Sequence, residues 1–175
     1  MSVPHTTTKL SPRIPSAATT IPRCRAISPT PRRLLFSHRN QWKVAVESIQ
    51  RGFLEESVTL RLPSGSRMVA QVPLSTGSLL GICPGRLFSA LVDPMAVLLE
   101  AGPHHPVVSC CNCLEATVTD ATEAMDALEL ELSIGGVDRL HTEIPNLEGF
   151  REPFARGSRV WAIFPARAVL LATTT

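Results

Sequence analysis

Tyrosine is absent from this chain of 175 residues, and aromatic side chains make up only 5% of it. Single-stranded nucleic acid is held largely by stacking bases on aromatic rings, so this poverty speaks against that class of partner. Nowhere do about eighteen apolar residues follow one another, so no membrane-spanning helix is expected. The first residues also lack the apolar core of roughly 7–15 residues that marks a secretory signal. The five cysteines are an odd number, and three crowd together as Cys110, Cys111 and Cys113. A disulfide framework uses even numbers spread along the chain, so a reducing cytoplasm is expected. Acidic residues are missing from Met1 to Val46, where eight Lys or Arg stand; from Glu47 onward nine Arg face fifteen acids. A basic leader therefore precedes an acidic body, and an acidic body is a poor nucleic-acid surface. There is no Gly-rich phosphate loop and no Ser/His/Asp or Cys/His constellation at a plausible elbow, so the expected role is not enzymatic.

What the chain does have is a repeat at a constant offset of 72 residues. Val46 recurs as Val118, Leu60 as Leu132, Pro73 as Pro145, Gly85 as Gly157 and Ala90 as Ala162. The run Ala96-Val97-Leu98-Leu99 recurs as Ala168-Val169-Leu170-Leu171. Packing explains these apolar matches. It does not explain the recurrence of Ser37 and Asn40 as Ser109 and Asn112, which directs attention to those segments. The period is too long for a solenoid unit and long enough for a small domain.

Residues 1–35 are rich in Ser, Thr, Pro and Arg and are expected to be a disordered leader. A first domain is expected over 36–100, a linker over 101–108 and a second domain over 109–173. Period-two alternation predicts strands near Lys43–Ile49, Val58–Leu62 and Met68–Val72, with a turn at Pro63-Ser64-Gly65-Ser66. Ser75–Leu80 predicts one or two helical turns, and Leu87–Val92 and Ala96–Leu99 close the unit. The second copy repeats this order, with its strongest alternation at Leu128, Leu130, Leu132 and Ile134, and with Asn146–Phe150 in place of the short helix. The fold class is therefore all-β. Five short strands, with a short helix between the third and fourth, predict two OB-type five-stranded barrels in tandem.

Ser37-His38-Arg39-Asn40-Gln41-Trp42 resembles the S-A-R-N-Q signature of Mop domains, the molybdate-binding type of the TOBE family. Residues 58–72 resemble the central hairpin of that family, and residues 86–99 its closing strands; residues 160–173 resemble the end of molybdate-responsive transcription regulators. The resemblance covers about residues 36–173. It implies a tandem of Mop domains that binds molybdate or tungstate for storage, homeostasis or sensing, without a redox cofactor. It further implies a homo-oligomer with its sites between subunits. No helix-turn-helix pattern precedes the units, so direct DNA binding is not expected.

A tetrahedral dianion needs convergent donors, and hydroxyls, carboxamides, backbone N–H groups and a guanidinium supply them. Ser37, Arg39 and Asn40 offer these types within four residues, and Thr76 stands where the family often adds a hydroxyl. In the second copy the corresponding oxyanion ligands are Ser109 and Asn112, with Cys111 in the place of Arg39. The closing motif departs from the family: Asp93 and Pro165 stand where Lys is usual, and Met95 and Arg167 where Ser or Thr follows. Two alternatives stay open at the level of sequence. One is a ligand-free dimerisation or interaction module derived from such a regulator, and the other an OB-type nucleic-acid binder. Cys110, Cys111 and Cys113 lack paired zinc spacing, and His104-His105 reads as a solvated linker.

Overall fold

The computed structural model describes residues 40–145 and 152–173. The expected leader, together with Ser37, Arg39 and the segment Asn146–Phe150, lies outside the described residues.

The described chain is predominantly β. Its strands are β1 (Asn40–Arg51), β2 (Glu55–Arg61), β3 (Arg67–Pro73), β4 (Leu87–Val92), β5 (Leu98–Ala101), β6 (Cys111–Glu123), β7 (Ala127–Ile134), β8 (Asp138–Pro145), β9 (Arg159–Pro165) and β10 (Leu170–Thr173). One helix, α1 (Leu74–Leu80), follows β3, where the sequence predicts it. Short 3-10 turns at Pro94–Ala96 and Ala166–Ala168 precede β5 and β10.

Alternation along each strand sends one row of side chains inward. Leu128, Leu130, Leu132 and Ile134 of β7 are all buried, as are Val58 and Leu60 of β2 and Met68, Ala70 and Val72 of β3. The expected phase slips once in each long strand. The pairing of β1 with β2 shifts register between Val46 and Ser48, and that of β6 with β7 between Val118 and Asp120. One residue too many on the longer strand makes a bulge and adds twist. Simple alternation through Lys43–Ile49 could not reveal it. The matched glycines also find their reason. Gly85 and Gly157 hold φ of +83° and +91°, where a side chain would strain the backbone, and each donates its N–H to the residue before the bulge, Val46 or Val118.

The strands form two five-stranded sheets, ordered β10-β4-β1-β2-β3 and β5-β9-β6-β7-β8. Each sheet takes four strands from one sequence unit and its last from the other. Strand β5 pairs with β9, from Leu98 opposite Ile163 to Ala101 opposite Val160. Strand β10 pairs with β4, from Leu170 opposite Leu91 to Thr173 opposite Phe88. These registers are related by the 72-residue offset, so the units exchange closing strands about an internal pseudo-twofold. The hydrogen-bonded order runs from one edge to the other in each sheet, and β3 and β8 are edge strands of their ladders.

Those edges are covered by the other unit. The 3-10 turn Ala166–Ala168 lies against β3, and the turn Pro94–Ala96 against β8. The buried Thr142 hydroxyl on β8 lies 3.2 Å from the Pro94 carbonyl and 3.1 Å from that of Val97. The two hairpin tips also meet, with the Ser64 N–H donating to the Asp138 carboxylate at 2.9 Å. A single core spans both units, from Trp42 and Phe88 to Phe164 and Val169.

Candidate functional site at the junction of the two units

Strand β1 begins at Asn40, which is fully buried. Its carboxamide acts like a piece of strand backbone. Nδ2 donates to the His141 carbonyl at 2.8 Å, and Oδ1 accepts from the His141 N–H at 2.6 Å. Asn112, at the start of β6, does the same to Val69 of β3: its Oδ1 accepts from the Val69 N–H at 2.6 Å, and its Nδ2 donates to the Val69 carbonyl at 3.0 Å. Val69 and His141 are themselves 72 residues apart, so the two clamps are one device used twice. Two-point pairing fixes which end of each amide is nitrogen. Trp42 adds a third bond on one side only, its indole Nε1–H donating to the Arg139 carbonyl at 2.9 Å. The recurrent Asn thus has a structural role that sequence reasoning, which read it only as a ligand, did not assign: each pins the start of its strand to the edge strand of the other unit.

Of the other candidate residues, Ser109 and Thr76 are described. Ser109 is exposed just before Cys110, whose φ of +61° is unusual for a residue with a side chain. Thr76 is exposed in the first turn of α1, which packs on β2 and β3. Asp93 does not act as a free charge. Its Oδ1 accepts the Met95 N–H at 2.9 Å and caps the 3-10 turn that carries the closing motif. Pro165 begins the equivalent turn without a side-chain cap. Arg167, on that turn, reaches across to Glu55 at the start of β2, with Nη2 to Oε2 at 3.0 Å.

Beside Arg167 lies a cleft of about 520 Å³, lined by Gln50, Arg51, Gly52, Phe53, Leu54, Glu55, Ser57, Gln71 and Arg167. Gln50, Ser57 and Gln71 are successive register partners across β1, β2 and β3, so they form one polar row. The cleft is within the roughly 300–1,000 Å³ that suits a small ligand. Two guanidinium groups there face one lining carboxylate; the buried Glu56 carboxylate lies 3.7 Å from Arg51. The pseudo-twofold mate of this cleft is smaller, about 160 Å³, and its lining includes Asp120, Glu129, Glu131 and Glu143 and, among the described residues, no Lys or Arg. Sequence reading overlooked Gln50, Arg51, Ser57 and Gln71. Their signal was available: these polar residues match Thr122, Glu123, Glu129 and Glu143 at the repeat offset, a cluster of changes towards acid.

On the outer face of the first sheet the bulge residue Glu47 is held by two guanidinium groups. Arg67 donates through Nε and Nη2, both at 2.7 Å, and Arg61 through Nη2 at 2.6 Å. The bonds from Arg67 and then Arg61 lower the Glu47 pKa to about 2, because they favour the ionised carboxylate. On β6, Cys111 and Cys113 are half-buried, and burial, with Cys111 nearby, raises the Cys113 thiol pKa. The linker is less idle than expected, since the His105 ring packs on Trp161 with centroids 4.6 Å apart.

Two interlocked five-stranded β units, each opening on a buried Asn that clamps the other, make up the described chain. No family model matches the chain. It is 27% identical over 136 residues to the molybdenum-pterin-binding protein MopA of Rhodobacter capsulatus, a match covering 78% of this chain and 51% of that protein. The chain therefore spans about half the length of that relative. Its fold is shared with the crystal structure of the cytoplasmic molybdate-binding protein ModG with molybdate bound, at a TM-score of 0.74 and 23% identity, over 81% of this chain and 100% of the other.

Proposed function

We propose that this chain is a non-catalytic binder of molybdate or tungstate, acting in the cytoplasm as a homo-oligomer in molybdenum storage, homeostasis or sensing. In this reading residues 36–100 and 109–173 are the two Mop domains, 101–108 the linker, and each curled sheet an OB-type barrel unit. The observation that carries it is the paired Asn clamp. It anchors the equivalent starts of β1 and β6, in a chain similar to MopA and ModG. Each Asn nitrogen carries two hydrogens, and one is committed to a strand carbonyl. The second is the donor that this reading assigns to the anion, beside the hydroxyls of Ser37 and Ser109 and the guanidinium of Arg39, with Thr76 as a further hydroxyl. Fixing the segment by its Asn organises the donors before the anion arrives, which lowers the ordering cost of binding. Asp93 is compatible with an anion nearby because its carboxylate is engaged in a turn cap.

Isothermal titration with molybdate, tungstate and sulfate tests the reading. Saturable heat with molybdate or tungstate is the expected result, and its absence for both would overturn it. A second reading, a ligand-free interaction module, is favoured by one observation: neither closing turn carries the Lys usual in Mop domains, Asp93 and Pro165 standing there instead.

A further inference from the structure

The strand-start segment of the second unit is not a plain repeat of the first. Ser109 and Asn112 keep the serine and the asparagine, but Cys111 stands for Arg39 and Cys113 for Gln41. Two side chains that donate hydrogen bonds to hard oxygen atoms are thus exchanged for two thiols, whose sulfur is a soft metal ligand. Strand β6 brings the two thiols together. They are two residues apart on one strand, so they leave it on the same side, with their backbones about 6.5 Å apart. Asn112, between them, points the other way and is buried. Both thiols are half-buried, and Cys111 is close enough to help hold the proton on Cys113. Both line one pocket of about 330 Å³, to which the linker contributes the apolar wall Pro106, Val107 and Val108. The Val108 N–H bonds to the Cys113 sulfur, and the His105 ring, packed on Trp161, fixes that stretch of linker.

Among the described residues no group of three or more His, Cys, Asp or Glu is placed to hold a metal ion. A structural zinc ion, which takes four ligands, is therefore not served, and a hard cation would find no cage of oxygens. A soft monovalent d10 ion differs from both, because two thiolates in line complete its coordination. We infer that Cys111 and Cys113 form a two-coordinate site for a soft monovalent cation, of which copper(I) is the type. Each thiol gives up its proton and makes one sulfur–metal bond. One Cu⁺ and two thiols thus yield a bis-thiolate carrying one negative charge, and two protons go to solvent. No electron is transferred. Arg67, in the same lining, has the sign that suits this product, and the bond from Val108 already favours ionised sulfur at Cys113. The apolar wall keeps water from competing for the ion. The site uses no side chain that the oxyanion reading assigns to the anion.

Titration of the reduced full chain with copper(I), in competition with the chelator bathocuproine disulfonate, tests the site. No oxyanion is present, so the outcome is independent of molybdate binding. The wild-type chain should withdraw copper(I) from the chelator. Cys111→Ser and Cys113→Ser should each weaken the binding by more than about 100-fold, beyond the loss that removing a merely supporting group causes. Cys110→Ser should leave it unchanged, because Cys110 is not part of the lining. Affinity should also rise with pH, since protons are released on binding. No withdrawal by the wild type, equal withdrawal by the Cys111→Ser/Cys113→Ser double variant, or loss in Cys110→Ser alone overturns the inference. Should a serine variant not fold, alkylation of the wild type decides. At alkaline pH, where both thiols of the metal-free chain react, copper(I) should protect Cys111 and Cys113 together while Cys110 is still labelled. Labelling of either thiol at its metal-free rate rules the site out.

Discussion

Asn112 grips Val69 through both its carboxamide atoms, joining the first strand of the second unit to the edge strand of the first. Asn40 repeats the grip on His141 in the opposite sense. A neutral amide that pairs with both groups of one residue extends the sheet's hydrogen bonding by one side chain. It thereby satisfies backbone groups on an edge that no strand covers.

Removing either clamp should be costly. Asn40→Ala or Asn112→Ala leaves a strand N–H and carbonyl without their partner at a part-buried position, at about 1–3 kcal/mol for each variant. Urea denaturation measures it. A change below about 0.5 kcal/mol for both would show that the clamps contribute little to the junction.

The clamps and the anion can be separated by a second pair of variants. Arg39→Ala should weaken molybdate binding by roughly 1.5–3 kcal/mol, the scale of a hydrogen bond to a charged group, with little change in stability. Asp93→Lys should tighten it by about tenfold, since it replaces negative charge by positive. It should also lose about 0.5–2 kcal/mol of stability, because the Met95 N–H loses its cap. Titration calorimetry and thermal melts report the two effects independently. Unchanged affinity in both variants would remove the strand-start segment from the site.

Helix α1 crosses β2 so closely at Gly77 that a methyl group there would overlap the buried Glu56 carboxylate. Gly77→Ala should therefore destabilise the protein by about 1–3 kcal/mol, the usual range for overpacking, although alanine is the better helix former. Adding Glu56→Ala should recover part of that loss. A Gly77→Ala protein as stable as wild type would mean that the carboxylate moves aside freely.

Acid should weaken the first sheet through Glu47. Its folded pKa of about 2 lies below the ordinary value of 4.5, so its contribution to stability is complete above pH 4.5 and is lost as pH falls from 4.5 towards 2. Glu47→Gln should flatten the acid limb of the melting curve in that window. Carboxylate chemical shifts that titrate near 4.5 would contradict the two-arginine clamp.

Thiol chemistry gives a further check. Burial raises the Cys113 pKa, whereas Cys110 is exposed. Iodoacetamide at neutral pH should label Cys110 well before Cys113, because the thiolate is the reacting species. Mass spectrometry of the digested protein reads the order.

The strands and their inward rows were legible in the sequence because alternation of Leu and Val carries that information directly. The matched glycines were visible too, though not their purpose. Three features were hidden, each for a physical reason. The bulges at Glu47 and Thr119 break a phase that periodicity assumes constant. The clamp of Asn40 is a bond to a residue 101 positions away, and no local pattern encodes its partner. The exchange of β5 and β10 is concealed by the repeat itself. Both strands follow the same Ala-Val and begin Leu-Leu, so either would fit either sheet, and only the path of the chain decides between them.

That exchange has a consequence for how the molecule is made. The first sheet takes its last strand from Leu170–Thr173, at the far end of the described chain. On the ribosome, β1 to β4 emerge early but remain without that strand until the second unit has been synthesised through β10, at about 5–20 residues per second. Through that interval the outer edge of β4 is bare, and a neighbouring nascent chain could offer its own β10 in place of the missing one. Slower synthesis of the second unit should therefore lengthen the exposure of that edge and favour pairing with the β10 of a chain that is already further along.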